Sequence, residues 1–360
     1  MIRILHVISD TNIGGAGHQL LNLLRGLDRD LFHIKVVVPT NAKLIALLDE
    51  IAIHHEEVPY LAERSFSIPS IRRLYQIIKK FKPDIVHTHA ALSARISARI
   101  CRCKIINTRH CAFSVTNRQK KLRWAVRAAA WLLGGITVAV STSAKEKLMQ
   151  QGVSEKKIVV VNNGINTSLY KYDAHKRLET RNELGISDDT FCVGHVGRIE
   201  SEKNHLFLLE VFSIIRKQRD SLLVLAGSGS LEEDLIIQAK KLGIQDDVLF
   251  LGVRSDMDRL YQAFDILIMP SIAEGFGLAA VEAQCSGLGC ILSEHFPKIV
   301  KCSESVKFLP LGDAKLWARE TLDLPPSNRE NGHASVINSK LDMAAMCKEM
   351  SELYVNLTGG

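Results

Sequence analysis

No apolar run in this chain approaches the ~20 residues that a helix needs to cross a bilayer. The longest, Ala128 to Val140, has 13 residues and follows directly on Arg127. The eight cysteines lack metal-ligand or redox spacing, the closest pair being Cys101 and Cys103. That argues against a zinc module or a disulfide scaffold and suits buried thiols in a reducing cytoplasm. Aromatic residues are only 6% of the chain, too few among the basic ones to build the stacking platforms of a single-strand nucleic-acid binder. The opening MIRILHVISD has no cleavage site and closes at Asp10, so it reads as a strand rather than a signal peptide. Neither an internal repeat nor a long low-complexity segment is evident.

What remains is ordinary globular composition over 360 residues, a length that favours two domains. The net charge of +7 conceals an asymmetry. Residues 1–170 carry 25 basic and 11 acidic side chains, +14, and the remainder 21 against 28, −7. The halves therefore meet different partners, and a basic half can face an anionic membrane surface or a polyanion.

Strand and helix patterns alternate throughout, which predicts parallel sheets covered by helices on both faces, an α/β fold. Strands are expected at Ile2 to Val7, His33 to Val38, Asp84 to His87, Lys104 to Thr108, Ile136 to Val140 and Ile158 to Val161. After a polar stretch without a strand, Asn166 to Asp189, read as the connection, alternation restarts at Phe191 to Val196 and runs to Lys307 to Leu309. Two doubly wound domains of similar size result, 1–170 and 171–340. A last helical pattern within 341–360 can pack back onto the first domain. Open sheets of this kind bind ligands at the carboxyl ends of their strands, and a cleft between two of them is the natural site.

The most telling segment is SIAEGFGLAAVEAQCSGLGC, Ser271 to Cys290. Glu274 and Glu282 bracket a turn containing Gly275, Phe276 and Gly277 that leads into an apolar helix starting near Leu278. Glycine lets the backbone approach a ligand, and the first helical amides lack intrahelical partners, as a phosphate site requires. Eight residues of helix separate the carboxylates by up to ~12 Å. A retaining glycosidase pair stands ~5 Å apart, so these two read as the ends of a clamp on one elongated ligand. VGRIESEKNH, Val196 to His205, places Arg198 at a strand end and Lys203 near the next helix. Two such cations can neutralise a diphosphate, Arg with paired hydrogen bonds and Lys as a point charge.

Other constellations carry two readings each. Gly14, Gly15 and Gly17 follow the first strand as a phosphate-cradling loop should, but their spacing is not G-x-G-x-x-G and a tight turn would use the same residues. His87 and His89 share one side of a strand, where they could begin a metal site or simply pack. His110 is better read as a neutral imidazole hydrogen-bonding a substrate hydroxyl or phosphate. The basic run with Arg118, Lys120, Lys121, Arg123, Trp124 and Arg127 fits a helix lying in a membrane interface, or a core helix with a cationic outer face.

Together the ILHVISDTNIGGAG opening, VNNGIN at Val161 to Asn166, VGRIESEKN and above all E-x7-E from Glu274 to Glu282 resemble the retaining glycosyltransferases of family 4, the group 1 glycosyltransferases, over nearly the whole chain. The resemblance implies a GT-B fold, two Rossmann-like domains facing a central cleft, the first taking the acceptor and the second a nucleotide sugar. It implies that Glu274 contacts donor-sugar hydroxyls and Glu282 the ribose. Arg198, Lys203 and the helix amides after Gly277 would hold the diphosphate as it leaves. Backbone around Val253 and Arg254 would meet the base, and Gly15 and His110 would approach from the acceptor domain. Cationic residues would replace a metal, so no metal or cofactor is expected. The chain departs from many relatives in having Gly17 and His18 where they carry Glu after Gly-Gly-Ala. The implied reaction moves a sugar, a hexose or N-acetylhexosamine, from a UDP-linked donor to a lipid-linked saccharide on the inner face of a bacterial membrane, in capsule, exopolysaccharide or other surface-glycan synthesis. A sugar-nucleotide epimerase of the same fold and a non-catalytic glycosyltransferase-like scaffold are the alternatives.

Overall fold

The computed structural model describes residues 1–11, 13–61, 66–89, 91–110 and 132–359. The chain divides into two compact units, Met1–Gly164 with Met343–Gly360, and Ile165–Asp342. Each is built on a parallel sheet. The first unit has β1 (Ile2–Ile8), β2 (Phe32–Pro39), β3 (His55–Val58), β4 (Ile85–His89), β5 (Lys104–Arg109), β6 (Ile136–Ala139) and β7 (Ile158–Val160), in spatial order β3-β2-β1-β4-β5-β6-β7. The second has β8 (Phe191–Val196), β9 (Ser221–Ala226), β10 (Val248–Phe250), β11 (Ile266–Met269), β12 (Gly289–Ser293) and β13 (Val306–Leu309), in order β10-β9-β8-β11-β12-β13. In both, strand order reverses at one place, between β1 and β4 and between β8 and β11. That is the switch point at which open sheets form a ligand crevice.

Helices on both faces bury the central strands, whose sequences are accordingly continuous apolar runs such as LLVLA and ILIM. The helix Ile68–Phe81 shows how the local sequence sets the covering layer. The Ser67 side chain caps it by accepting from the Ser70 amide, and Leu74, Ile77, Ile78 and Phe81 form its buried stripe. The carboxyl-terminal helix Met343–Thr358 belongs to the first unit. It inserts Met346, Cys347, Met350 and Tyr354 into the core around Leu20, Leu24 and Phe32. Gly26 allows that approach, since a Cβ there would stand 2.5 Å from the Cys347 sulfur.

Three segments differ from the sequence reading. Strand β3 and the helix Leu44–Glu50 were not anticipated, because four and seven residues give too short a periodic pattern. The stretch Asn166 to Asp189 is not an open connection. It forms the helices Thr167–Tyr170 and Ala174–Glu183 within the second unit, and Arg177 and Arg181 there donate to Asp265 and to the Ala263 carbonyl. Apart from these three, the polar stretch Pro325 to His333 is packed as well. Arg329 donates to the carbonyls of Tyr261, Gln262, Phe264 and Ser286, and burial lowers its pKa to about 10.

Candidate active site

At the carboxyl edge of the second sheet, the segments after β8 and β11 are stitched together by backbone. The Ile272 amide donates to the Glu202 carbonyl over 2.8 Å. This brings Lys203 and Glu274, 71 residues apart, into an ion pair of 2.6 Å whose side chains are 15% and 13% exposed. Burial at this level strips water from both charges, so each depends on the other or on a replacement partner. Arg198 lies at the start of the same loop, 69% exposed and paired with Glu202 at 2.5 Å, a contact that solvent weakens.

Gly277 shapes the next turn. Its φ of +96° is left-handed, and a Cβ would stand 2.5 Å from the Phe296 ring. It caps the helix Leu278–Cys285, whose Ala280 and Val281 amides reach back to the Gly277 carbonyl. The Leu278 and Ala279 amides ahead of them have no intrahelical acceptor. Phe276 is buried, so this residue offers a site its backbone and not its ring. Glu282, one turn further on, is partly exposed and accepts from the Tyr261 hydroxyl at 2.8 Å. Burial raises its pKa, opposed by hydrogen bonds from Tyr261 and Tyr170.

The ends of β8, β9 and β10 complete this edge. The Gly197 amide donates to Ala226, Ile199 to Ser228 and Gly227 to Gly252. A methyl group at Gly227 would overlap the Gly197 carbonyl. Sequence reasoning missed this AGSGS loop and both tyrosines. The loop had a signal, since glycine follows β9 as it follows β8, whereas nothing local marked Tyr170 or Tyr261. Beyond β10, Val253 is 72% exposed, and the Arg254 guanidinium is held by Asp256 at 2.6 Å and Glu183 at 3.4 Å. Asp256 and Asp258 have Asp-x-Asp spacing, and both are taken by cations, Asp256 by Arg254 and Asp258 by Lys176.

In the first unit, Gly15 opens the helix Gly15–Gly26, and a Cβ there would meet nothing within 4 Å. His110 follows β5 and meets an imidazole group that the sequence did not foreshadow. His6 on β1 lies in register with His87 on β4. His6 Nδ1 stands 3.2 Å from His89 Nε2, and His89 Nδ1 3.0 Å from His110 Nε2. His87 packs rather than binding a substrate, held by the Tyr354 hydroxyl at 2.6 Å and Thr108 at 2.7 Å. Donor nitrogens of His6, His87 and His89 lie within 4.8 Å of one another, close enough to surround a metal ion. Burial keeps all four rings neutral, lowering His6 to about 3, His110 to about 4, and His87 and His89 well below the usual value. The basic run with Arg118, Lys120, Lys121, Arg123, Trp124 and Arg127, expected at a membrane interface or on a cationic helix face, lies outside the described residues. Among the described residues no helix is long and apolar enough to cross a membrane.

Comparison with known proteins agrees with this architecture. Residues 176–301 match the family model of glycosyl transferases group 1, and residues 13–169 that of glycosyltransferase family 4. The chain is 29% identical over 308 residues to the Escherichia coli UDP-Gal:alpha-D-GlcNAc-diphosphoundecaprenol alpha-1,3-galactosyltransferase, covering 81% of this chain and 79% of that one. It is 24% identical to the capsular polysaccharide biosynthesis glycosyltransferase CapH of Staphylococcus aureus, over 99% of this chain and 100% of CapH. Its fold matches Anabaena HepE, crystallised with UDP and glucose, at a TM-score of 0.84 and 20% identity, covering 99% of this chain and 100% of HepE. With both of its units matched by models of one family, this chain belongs to the family 4, or group 1, glycosyltransferases and has their GT-B fold.

Proposed function

We propose that the enzyme is a retaining, metal-independent glycosyltransferase that moves a hexose or N-acetylhexosamine from a UDP-linked donor to a lipid-linked saccharide. Its place would be the inner face of a bacterial membrane, in the synthesis of capsule, exopolysaccharide or another surface glycan. The observation that carries this reading is the Lys203–Glu274 pair beside the glycine turn at Gly277. A diphosphate seated on the Leu278 and Ala279 amides would draw Lys203 towards itself and free Glu274 for the hydroxyls of the sugar. Arg198, an exposed cation paired with Glu202, can turn to the same phosphates with two parallel hydrogen bonds. Glu282, oriented by Tyr261, would accept from the ribose hydroxyls, with the backbone at Val253 and Arg254 against the base.

Retention follows without a glycosyl-enzyme if the acceptor attacks from the face the diphosphate leaves. Glu274, once freed, would be engaged by the sugar hydroxyls rather than by the anomeric carbon, and the departing phosphate can help to take the acceptor proton. The amino-terminal half, +14 over residues 1–170, would take the acceptor, and Arg118 to Arg127 would meet anionic lipid. The diphosphoundecaprenol acceptor named for the Escherichia coli relative and the UDP bound by HepE support both halves of the reading.

The test is transfer from a panel of radiolabelled UDP-sugars to lipid-linked acceptors, with chelator and without. Unchanged transfer by Glu274→Ala or Lys203→Ala would sink the site, and loss of transfer in chelator would sink metal independence. A new sugar nucleotide formed without acceptor would show an epimerase instead.

A further inference from the structure

His6, His89 and His110 form a hydrogen-bonded chain running from the middle of β1 to the end of β5. Each neutral imidazole has one N–H and one lone pair, so the two bonds must run in the same direction along the chain. Whichever direction holds, one end is left with an unmet N–H and the other with an unmet lone pair. The two end atoms are His6 Nε2 and His110 Nδ1, both buried and both without a partner among the described residues.

The ends differ in what can reach them. Both end nitrogens are covered, but His6 lies wholly within the sheet interior, whereas His110 is a partly exposed residue at the sheet's edge, just past the carboxyl end of β5. An orphaned buried N–H is rarer in proteins than an under-used acceptor, so the N–H belongs at the end where an oxygen can arrive. His6 Nδ1 then donates to His89 Nε2, His89 Nδ1 donates to His110 Nε2, and His110 Nδ1 carries the proton. His87 takes no part in this order, since the Tyr354 and Thr108 hydroxyls occupy both its nitrogens.

We infer that His6 and His89 are positioning residues that hold His110 in its Nδ1–H form, so that it presents a hydrogen-bond donor, and not a base, to a ligand oxygen of a phosphate or sugar hydroxyl. This role rests on the transferase reading above, in which His110 serves the substrate. In this order His110 Nδ1 has no lone pair with which to take an acceptor proton, which agrees with leaving that step to the departing phosphate.

Long-range 1H–15N correlation spectra of the full chain labelled with 15N-histidine, assigned with His110→Gln and His89→Gln, read the tautomers directly. All three rings are expected with the proton on Nδ1, and UDP-sugar should move the His110 Nδ1 resonance most. A proton on His110 Nε2, averaged tautomers, or a stoichiometric metal in the purified protein would overturn the chain. In transfer assays His6→Leu, which removes the first donor, should lower kcat about tenfold with donor KM within twofold. His6→Asn, which restores an N–H at that place, should recover at least half of the loss. Equal kcat for the two variants at similar melting temperature would show that the order does not reach His110. If no sugar nucleotide supports transfer and the Nδ1–H pattern is nonetheless present, the transferase reading fails and the tautomer order stands.

Discussion

The two units repeat one sheet order and place different polar chemistry at the same switch point. Strands β1 and β4 pair at five positions out to Ile8 and His89, and the polar groups between them are neutral imidazoles. Strands β8 and β11 pair only at Val193–Ile266 and Gly194–Leu267. One residue further, His195 Nδ1 donates to the Ile268 carbonyl at 2.8 Å, a side chain standing where the ladder stops. Beyond it the backbone turns away at Gly197 and Ser271 to set the Lys203–Glu274 pair. A sheet that zips to its end can hold only groups that tolerate burial uncharged, whereas one that splits has room for partly wetted charges. On the proposed reading, the difference separates a unit that would hydrogen-bond a ligand from one that would grip a diphosphate.

Substitutions at the two switch points should therefore differ most in activity. Lys203→Ala is expected to lower kcat/KM by about 10²- to 10³-fold, comparable to removing a main electrostatic stabiliser of a leaving charge, and to lower the melting temperature as well, because Glu274 is left mostly buried without its partner. A loss no larger than that of His6→Leu, measured in the same assay, would erase the contrast.

Glycine contrasts in the same way. Gly227→Ala would drive a methyl into the Gly197 carbonyl at a φ of +146°, costing about 2–3 kcal/mol in thermal or denaturant unfolding. Gly15→Ala meets open space at the opening of its helix and should leave stability unchanged. If it weakens UDP-sugar binding measured by calorimetry, the Gly14–Gly15 loop approaches a ligand; unchanged affinity would make it a turn.

Acid should strike the first unit before the second. His6 at about 3 and His110 at about 4, with His87 and His89 also lowered, lie in the first unit; in the second are His195, held well below the usual value, and His205, at about 4. Folded pKa values below the unfolded ~6.5 mean that the unfolded chain binds more protons, so stability is full above pH ~6.5 and falls towards pH ~4. One such histidine costs on the order of 3 kcal/mol at the acid end of that window. Hydrogen exchange at pH 5 should show the amides of β1 and β4 losing protection relative to those of β8 and β9, and equal protection would contradict the contrast. The smallest expected effects are those of Tyr354→Phe and Tyr261→Phe, each removing one hydroxyl hydrogen bond worth about 1 kcal/mol. The second should also raise the donor KM, and the first should not.

Much of the fold was legible because its signals are local. Buried parallel strands are apolar runs such as ILIM, and the helices between them carry caps and stripes like Ser67 with Leu74, Ile77 and Ile78. The E-x7-E segment and the Val196 to His205 loop could be found from residue type and spacing. The bond between Lys203 and Glu274 could not, since it depends on the Ile272 amide meeting the Glu202 carbonyl. His6 was hidden for a related reason, as one polar residue inside an apolar strand reads as a tolerated exception.

By itself, then, the sequence determined the alternation of strands and helices, the two sheets and the residue types available at their carboxyl edges, because these follow from periodicity and from glycine and charge at fixed offsets. Only the tertiary structure decided the partners. It joined His6 to His89 across 83 positions, Tyr261 to Glu282 across 21 and Lys203 to Glu274 across 71. Hydrogen bonds and ion pairs act over about 3 Å, so which groups meet is set by strand order and register, which local spacing does not encode.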